Sequence, residues 1–204
     1  MKDFSPHAIF SYNQVKKRLF VIVSALIFIF LLLFVLNYLL FFKNSDFFLV
    51  IWINSFLSHI SSNIANTSVL GAFYTTLFGG LFFIFLPLEA VFITFLKENN
   101  SFIVILLYLI GLIISYTINY FIGYKLTDFS KKIITPKKFY KIKNYVNKYG
   151  ALAIFLFNVF PLPSQPLSAI LGVFKYNKAR FYIFFILGQL VKYTVITIGY
   201  FYIT

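Results

Sequence analysis

One carboxylate interrupts an otherwise apolar stretch of this chain: Glu89, two residues after Pro87, within the run from Val69 to Leu96. A charge at membrane depth costs roughly 2.5–3.5 kcal/mol on insertion scales, so an ionisable side chain there points to function. The alternative is a Glu that hydrogen-bonds backbone groups freed by the proline. Lys192 sits at the middle of a second apolar run, Phe181–Ile203, too deep to snorkel to the surface. It could hold an anionic group, pair with Glu89, or contact freed backbone carbonyls. Around Pro161, Pro163 and Pro166 a third apolar run carries Asn158, Ser164 and Gln165. These five polar groups are the candidates for a substrate or proton path.

The same inventory argues against an enzyme. Covalent or acid–base catalysis needs a nucleophile beside a base, or paired carboxylates. Only one carboxylate lies inside an apolar segment, and the two histidines, His7 and His59, lie far apart without acidic neighbours. With no cysteine either, neither a metal centre nor a cofactor is expected. No ATP-binding motif is present, so any movement of substrate would be passive or ion-driven.

Composition sets the solvent. Of 204 residues 61% are apolar and 11% charged, more apolar surface than a soluble domain of this size can bury. The formal charge of +13 resides in lysines beside apolar segments, which is a topology signature and favours anionic lipid headgroups over nucleic acid as partner. The run Leu19–Phe42 is too long for a signal h-region and reads as a retained, spanning anchor.

The positioning elements follow. Residues 1–18 form a polar N-terminal segment ending in Lys16-Lys17-Arg18, and 19–68 the anchor plus an interfacial segment. Phe47–Ile60 is short for a span, and Trp52 favours the interface. Ser61–Thr67 reads as a loop. Val69–Leu96 is broken by Gly79, Gly80 and Pro87; Ala151–Leu171 is broken by its three prolines. Proline removes a backbone donor and clashes with the preceding turn. Irregular backbone at membrane depth survives only where protein or a water-filled cavity satisfies it. Each break therefore predicts a buried turn, and each is followed by a spanning helix, Phe102–Leu126 and Phe181–Ile203.

If the N-terminus is cytoplasmic, Leu19–Phe42 crosses once and both broken segments re-emerge on the side they entered. All Lys and Arg except Lys43, Lys97 and Lys192 then fall inside, as the positive-inside rule asks. A spanning Phe47–Ile60 would allow the other count, in which Val69–Leu96 crosses. Leu86-Pro87-Leu88-Glu89 answers Leu162-Pro163-Ser164-Gln165. Gly123 lies as far beyond Pro87 as Gly199 beyond Pro163, both within Ile-Gly-Tyr. The expected fold is thus an all-α polytopic membrane protein with two opposed re-entrant hairpins plus spanning helices in an inverted repeat, its site where the broken segments meet.

Gly111, Ser115, Asn119 and Gly123 recur every fourth residue and should form a close helix-packing face; Gly188 and Gly199 should do the same in the last helix. Thr135-Pro136 reads as an N-cap and first helical residue, with Gly150 as the stop. Between them Phe139, Ile142, Val146 and Tyr149 form an apolar stripe, with Lys137, Lys138, Lys141 and Lys148 off it. Such a helix should lie on the cytoplasmic leaflet; a partner-binding helix is the alternative.

The stretch from Phe157 to Gly172, with Phe181 and Gly188, resembles the most characteristic segment of the DedA (VTT-domain) family. Leu86–Glu89 is similar to its first-hairpin proline and glutamate, and Tyr120–Gly123 to its Tyr-x-x-Gly motif. The resemblance covers roughly Val69 to Tyr202, within a domain read as 69–204. It implies two opposed re-entrant hairpins in a cell-membrane protein that translocates lipid, a flippase or scramblase of phospholipid or polyprenyl phosphate, with Glu89 as the hairpin acid. Many members carry arginines beside the second-hairpin prolines, where this chain has Asn158, Ser164 and Gln165, and an acid near the place of Tyr116. Lys192 is the candidate replacement cation. The alternative function is an ion-coupled secondary transporter or channel for a small solute. The lipid, the direction of movement, ion coupling and a homo-oligomeric state all stay open at this point.

Overall fold

The computed structural model describes residues 14–37, 47–84 and 86–203. Among them the chain is all-helical, in nine helices. Helix α1 spans Gln14–Asn37 and takes in the Lys16–Arg18 triplet, so the expected boundary at residue 18 moves back into the helix. The rest of the expected polar tail, and residues 38–42 of the anchor run, lie outside the described residues. The side chains from Phe28 to Leu33 are exposed, as befits a helix whose solvent is lipid.

Helix α2, Phe48–Ala65, corrects one reading, since 61–65 is helix and not loop; by length and apolarity the whole element could cross a membrane, a choice the sequence left open. Its hydroxyls carry the helix past the polar residues. Ser58 donates to the Ser55 carbonyl (2.8 Å), Ser61 to that of Ser58 (3.1 Å) and Ser62 to that of His59 (3.0 Å), so none needs water.

Ser68 caps α3, Val69–Gly79, by accepting from the Gly71 N–H at 3.0 Å. The helix ends at Gly79 and Gly80. After a loop, Pro87 (φ −74°, ψ 76°) makes an inverse γ-turn, with the Leu88 N–H donating to the Leu86 carbonyl at 2.9 Å, and opens α4, Leu88–Leu96. At the far end Asn99 donates to the Thr67 carbonyl at 2.7 Å and Thr67 to the Glu98 carboxylate, which ties the ends of the α3–α4 unit together.

Helix α5, Ser101–Lys125, is central. After the short α6, Thr127–Ile133, comes α7, Pro136–Val159. Gly150 does not end α7. It is buried, and a Cβ there would press on the Tyr176 ring, so the glycine serves close packing. Thr135 occupies the N-cap position with extended backbone, but its side chain makes no capping bond. On the stripe, Phe139 is buried and Tyr149 exposed, which removes Tyr149 from it. The second break is Phe160–Pro163. Pro163 (φ −70°, ψ 80°) has nearly the conformation of Pro87 and opens α8, Ser164–Val173. Pro166 is therefore not a break. It sits in the first turn of α8, where an N–H would have no intrahelical partner anyway. The last helix, α9, is Lys178–Ile203.

The small face of α5 packs two ways. A Cβ at Gly111 would meet Thr76 and the Phe73 carbonyl of α3, and one at Gly123 the Ala169 carbonyl of α8. Gly172 of α8 meets the Tyr120 carbonyl reciprocally. Asn119 secures the first break, accepting from the Phe82 N–H (3.1 Å) and donating to the Gly80 carbonyl (2.8 Å). Gly188 of α9 packs on Asn158 and Phe155 of α7. Gly199 does not pack: no described residue of another helix lies within 4 Å of its would-be Cβ, although Ile196 and Tyr200 beside it are partly buried against the core. Phe92, Tyr108 and Tyr193 join α4, α5 and α9 in one aromatic cluster, with ring centroids 4.5–5.0 Å apart.

Candidate functional site

The two proline breaks face each other across a cleft of about 380 Å³. Leu86–Glu89 forms one lip and Pro161–Gln165 the other. Leu112 and Tyr116 of α5 and Gln189, Lys192 and Tyr193 of α9 form its walls. Both lips are short because each proline forces a sharp exit before a new helix starts.

At this meeting point Lys192 donates to Glu89 Oε1 at 2.7 Å. The pair is unequal: Lys192 is 5% exposed and Glu89 34%. The ammonium is thus committed to the protein while the carboxylate opens onto the cleft. Beside it the Tyr116 hydroxyl and Ser164 Oγ are hydrogen-bonded at 2.5 Å, joining α5 to the start of α8. Tyr108 donates to the Leu88 carbonyl at 2.6 Å and fixes the start of α4 against α5.

Helices α4 and α8 both begin at the cleft, and neither has a side-chain cap, since proline stands in the N-cap position of each. Two helix N-termini, each carrying partial positive charge, therefore converge beside Lys192. Glu89, in the first turn of α4, is the neutralising charge. The arrangement can hold one negative group. That group is the Glu89 carboxylate in this state, and an anionic ligand could take its place if the carboxylate swings aside.

Of the five polar candidates, Glu89, Lys192, Ser164 and Gln165 line the cleft and Asn158 does not. Asn158 is buried behind it, donating to the Ile154 carbonyl (2.6 Å) and accepting from Gln189 Nε2 (2.7 Å). A buried amide on α7 is better satisfied by its own helix and by α9 than by a cleft. Gln189, 1% exposed, was not anticipated. Its Oε1 has no hydrogen-bond partner among the described residues. It lies one turn before Lys192 in an apolar helix, and a polar residue there was itself a sequence signal. The hydroxyls of Tyr108 and Tyr116 carried no such signal, because a tyrosine in an apolar run looks like any aromatic core residue.

Among the described residues, three helices long and apolar enough to cross a membrane make this a multi-pass, all-helical membrane protein. A family model of the VTT domain matches residues 69–201, from the start of α3 nearly to the end of α9. The chain belongs to that family, whose domain is the one shared by DedA and SNARE-associated Golgi proteins. No curated protein and no solved structure matches the chain.

Proposed function

We propose that this protein translocates membrane lipids, with the headgroup passing through the cleft while the hydrocarbon chains stay in the bilayer. The observation that carries the reading is the Glu89–Lys192 pair, set where two uncapped helix starts converge. A buried cation with a displaceable counter-charge is what a phosphate-bearing headgroup requires. The protein's role is then transport and not catalysis. Lys192 takes the anionic oxygen, the Tyr116–Ser164 pair and Gln165 supply hydrogen bonds, and Glu89 releases the lysine.

In this reading α3–α4 and α7–α8 are re-entrant hairpins entering from opposite faces of the cell membrane as halves of an inverted repeat. The near-identical backbone at Pro87 and Pro163 supports the correspondence. The basic stretches 125–148 and 175–180 lie on the cytoplasmic side, together with the N-terminus, by the positive-inside rule.

Fluorescent lipids with and without a phosphate headgroup, reconstituted in proteoliposomes, test the function. Wild type is expected to equilibrate phosphate-bearing lipids across the bilayer at least tenfold faster than protein-free liposomes, and folded Glu89→Gln to slow them several-fold. Transport with unchanged headgroup preference in Lys192→Ala would remove the lysine from the path. Uptake of a soluble solute without lipid movement would favour the small-solute transporter.

Orientation has its own test, made simple by a chain without cysteine. Single cysteines at Ser11 and Lys138 are expected to be labelled by an impermeant maleimide from the same side. Labelling from opposite sides would mean that one, and only one, of α2 and the α3–α4 segment also crosses the membrane, and the common cytoplasmic side would fail.

A further inference from the structure

Away from the cleft, the start of α7 bears a second concavity, of about 480 Å³, lined by Thr135, Lys137, Lys138, Lys141, Ile142 and Tyr145. We propose that it is a docking site for the phosphate headgroup of an anionic lipid resident in the adjoining leaflet, separate from any lipid in transit.

Three observations lead there. First, the lysines lack internal counter-charge. No Asp or Glu follows Asp128 in the chain, and Asp128 is engaged by Lys131 at 3.0 Å. The neighbouring cations have partners of another kind: Lys175 lies 4.9 Å from the centre of the Tyr124 ring and Lys178 4.6 Å from that of Phe121. Lys137, Lys138 and Lys141 have no ion pair, hydrogen bond or ring contact among the described residues. Three like charges around one hollow repel each other unless an anion is supplied from outside.

Second, the hollow is held in place. Phe139, on the same turn, is buried, with its ring centroid 5.0 Å from that of Phe174 at the end of α8. About three turns on, Gly150 packs against Tyr176. The lysine-bearing half of α7 is thereby fixed to the end of the bundle.

Third, its level and lining suit a lipid better than a free anion. Residues 151–159 of α7 are almost wholly apolar, whereas all its lysines precede Gly150. The lysine half thus leaves the hydrocarbon at headgroup depth. Ile142 and Tyr145 give the hollow an apolar wall for the glycerol and the first methylenes. The uncapped Thr135 hydroxyl and the positive end of a 24-residue helix add to the attraction for a phosphate oxygen.

The test uses the full chain in a neutral detergent, with short-chain phosphatidic acid, short-chain phosphatidylcholine and inorganic phosphate as probes, read by native mass spectrometry. Phosphatidic acid is expected to bind at least tenfold more tightly than phosphatidylcholine, and less tightly as salt rises. The Lys137→Gln/Lys138→Gln/Lys141→Gln variant should weaken it roughly a hundredfold, and Lys141→Gln alone about fivefold, on the usual worth of one lysine at an anionic surface. Triple replacement by Arg should retain binding. Replacing Lys175 and Lys178, whose ammonium groups rest on the Tyr124 and Phe121 rings, by Gln should leave binding within about twofold, and this separates the site from a general effect of charge. Unchanged binding in the Gln variants overturns the proposal. So does inorganic phosphate that binds as tightly as the lipid, or an equal loss in the Lys175→Gln/Lys178→Gln variant.

Discussion

Glu89→Ala is expected to destabilise the protein by about 3–5 kcal/mol, the usual cost of stripping a buried charge of its partner, whereas Lys192→Met should cost only about 1 kcal/mol, of the order of one net hydrogen bond. The asymmetry follows from the unequal burial of the two groups. Without Glu89, the Lys192 ammonium is left inside the bundle beside two helix N-termini of like sign. Without Lys192, the carboxylate still faces the cleft, can take water there, and still sits in the first turn of α4, where the helix dipole favours it. A Glu89→Gln/Lys192→Met double variant should recover most of the stability lost in Glu89→Ala, because it leaves no unpaired charge, while losing headgroup-dependent transport. Thermal unfolding in detergent measures all three. Equal losses for the two single variants would show that Glu89 is as enclosed as Lys192, and the idea of a displaceable counter-charge would fail.

The second large effect lies at the crossing of α5 and α8. Gly123→Ala or Gly172→Ala should each cost about 3 kcal/mol, the upper end for overpacking, since the new Cβ meets main-chain oxygen and not the end of a flexible side chain. The helices must separate, which moves Ser164 away from Tyr116 and widens the cleft, so transport should fall in the same variants. Gly199→Ala is the control. With open space around it, the substitution should be neutral or stabilise by up to about 1 kcal/mol through helix propensity. Thermal unfolding of the three single variants makes the comparison. A loss at Gly199 as large as at Gly123 would mean that the end of α9 contacts something beyond the described helices, such as a second copy.

Much of the architecture was legible because its causes are local. Proline and glycine terminate helices by backbone geometry, so the interruptions near Gly79–Pro87 and Pro161–Pro163 could be located from residue type alone. The length of apolar runs marked α5 and α9 for the same reason. Errors arose where local cues are weak and neighbours decide. Gly150 would end an isolated helix, but the Tyr176 ring needs the space of its missing side chain. The serines of α2 looked like a loop until their hydroxyls could be traced to carbonyls one turn back. Gly199 shares its Ile-Gly-Tyr setting with Gly123, yet only Gly123 has another helix against it.

By itself the sequence determined the solvent, the helix breaks and the presence of one acid and one base in apolar segments, since each of these depends on residue types close together in the chain. Only the tertiary structure decided that Glu89 meets Lys192, that Asn158 turns to Gln189 and away from the cleft, and that Tyr116 closes on Ser164. These contacts join groups on different helices, and a shift of one residue in how α9 lies against α4 and α7 would turn a different side chain toward each partner. Helical periodicity names the face, but the fit of Gly188 against Asn158, and of Phe92 and Tyr108 against Tyr193, selects which residue on that face reaches the site.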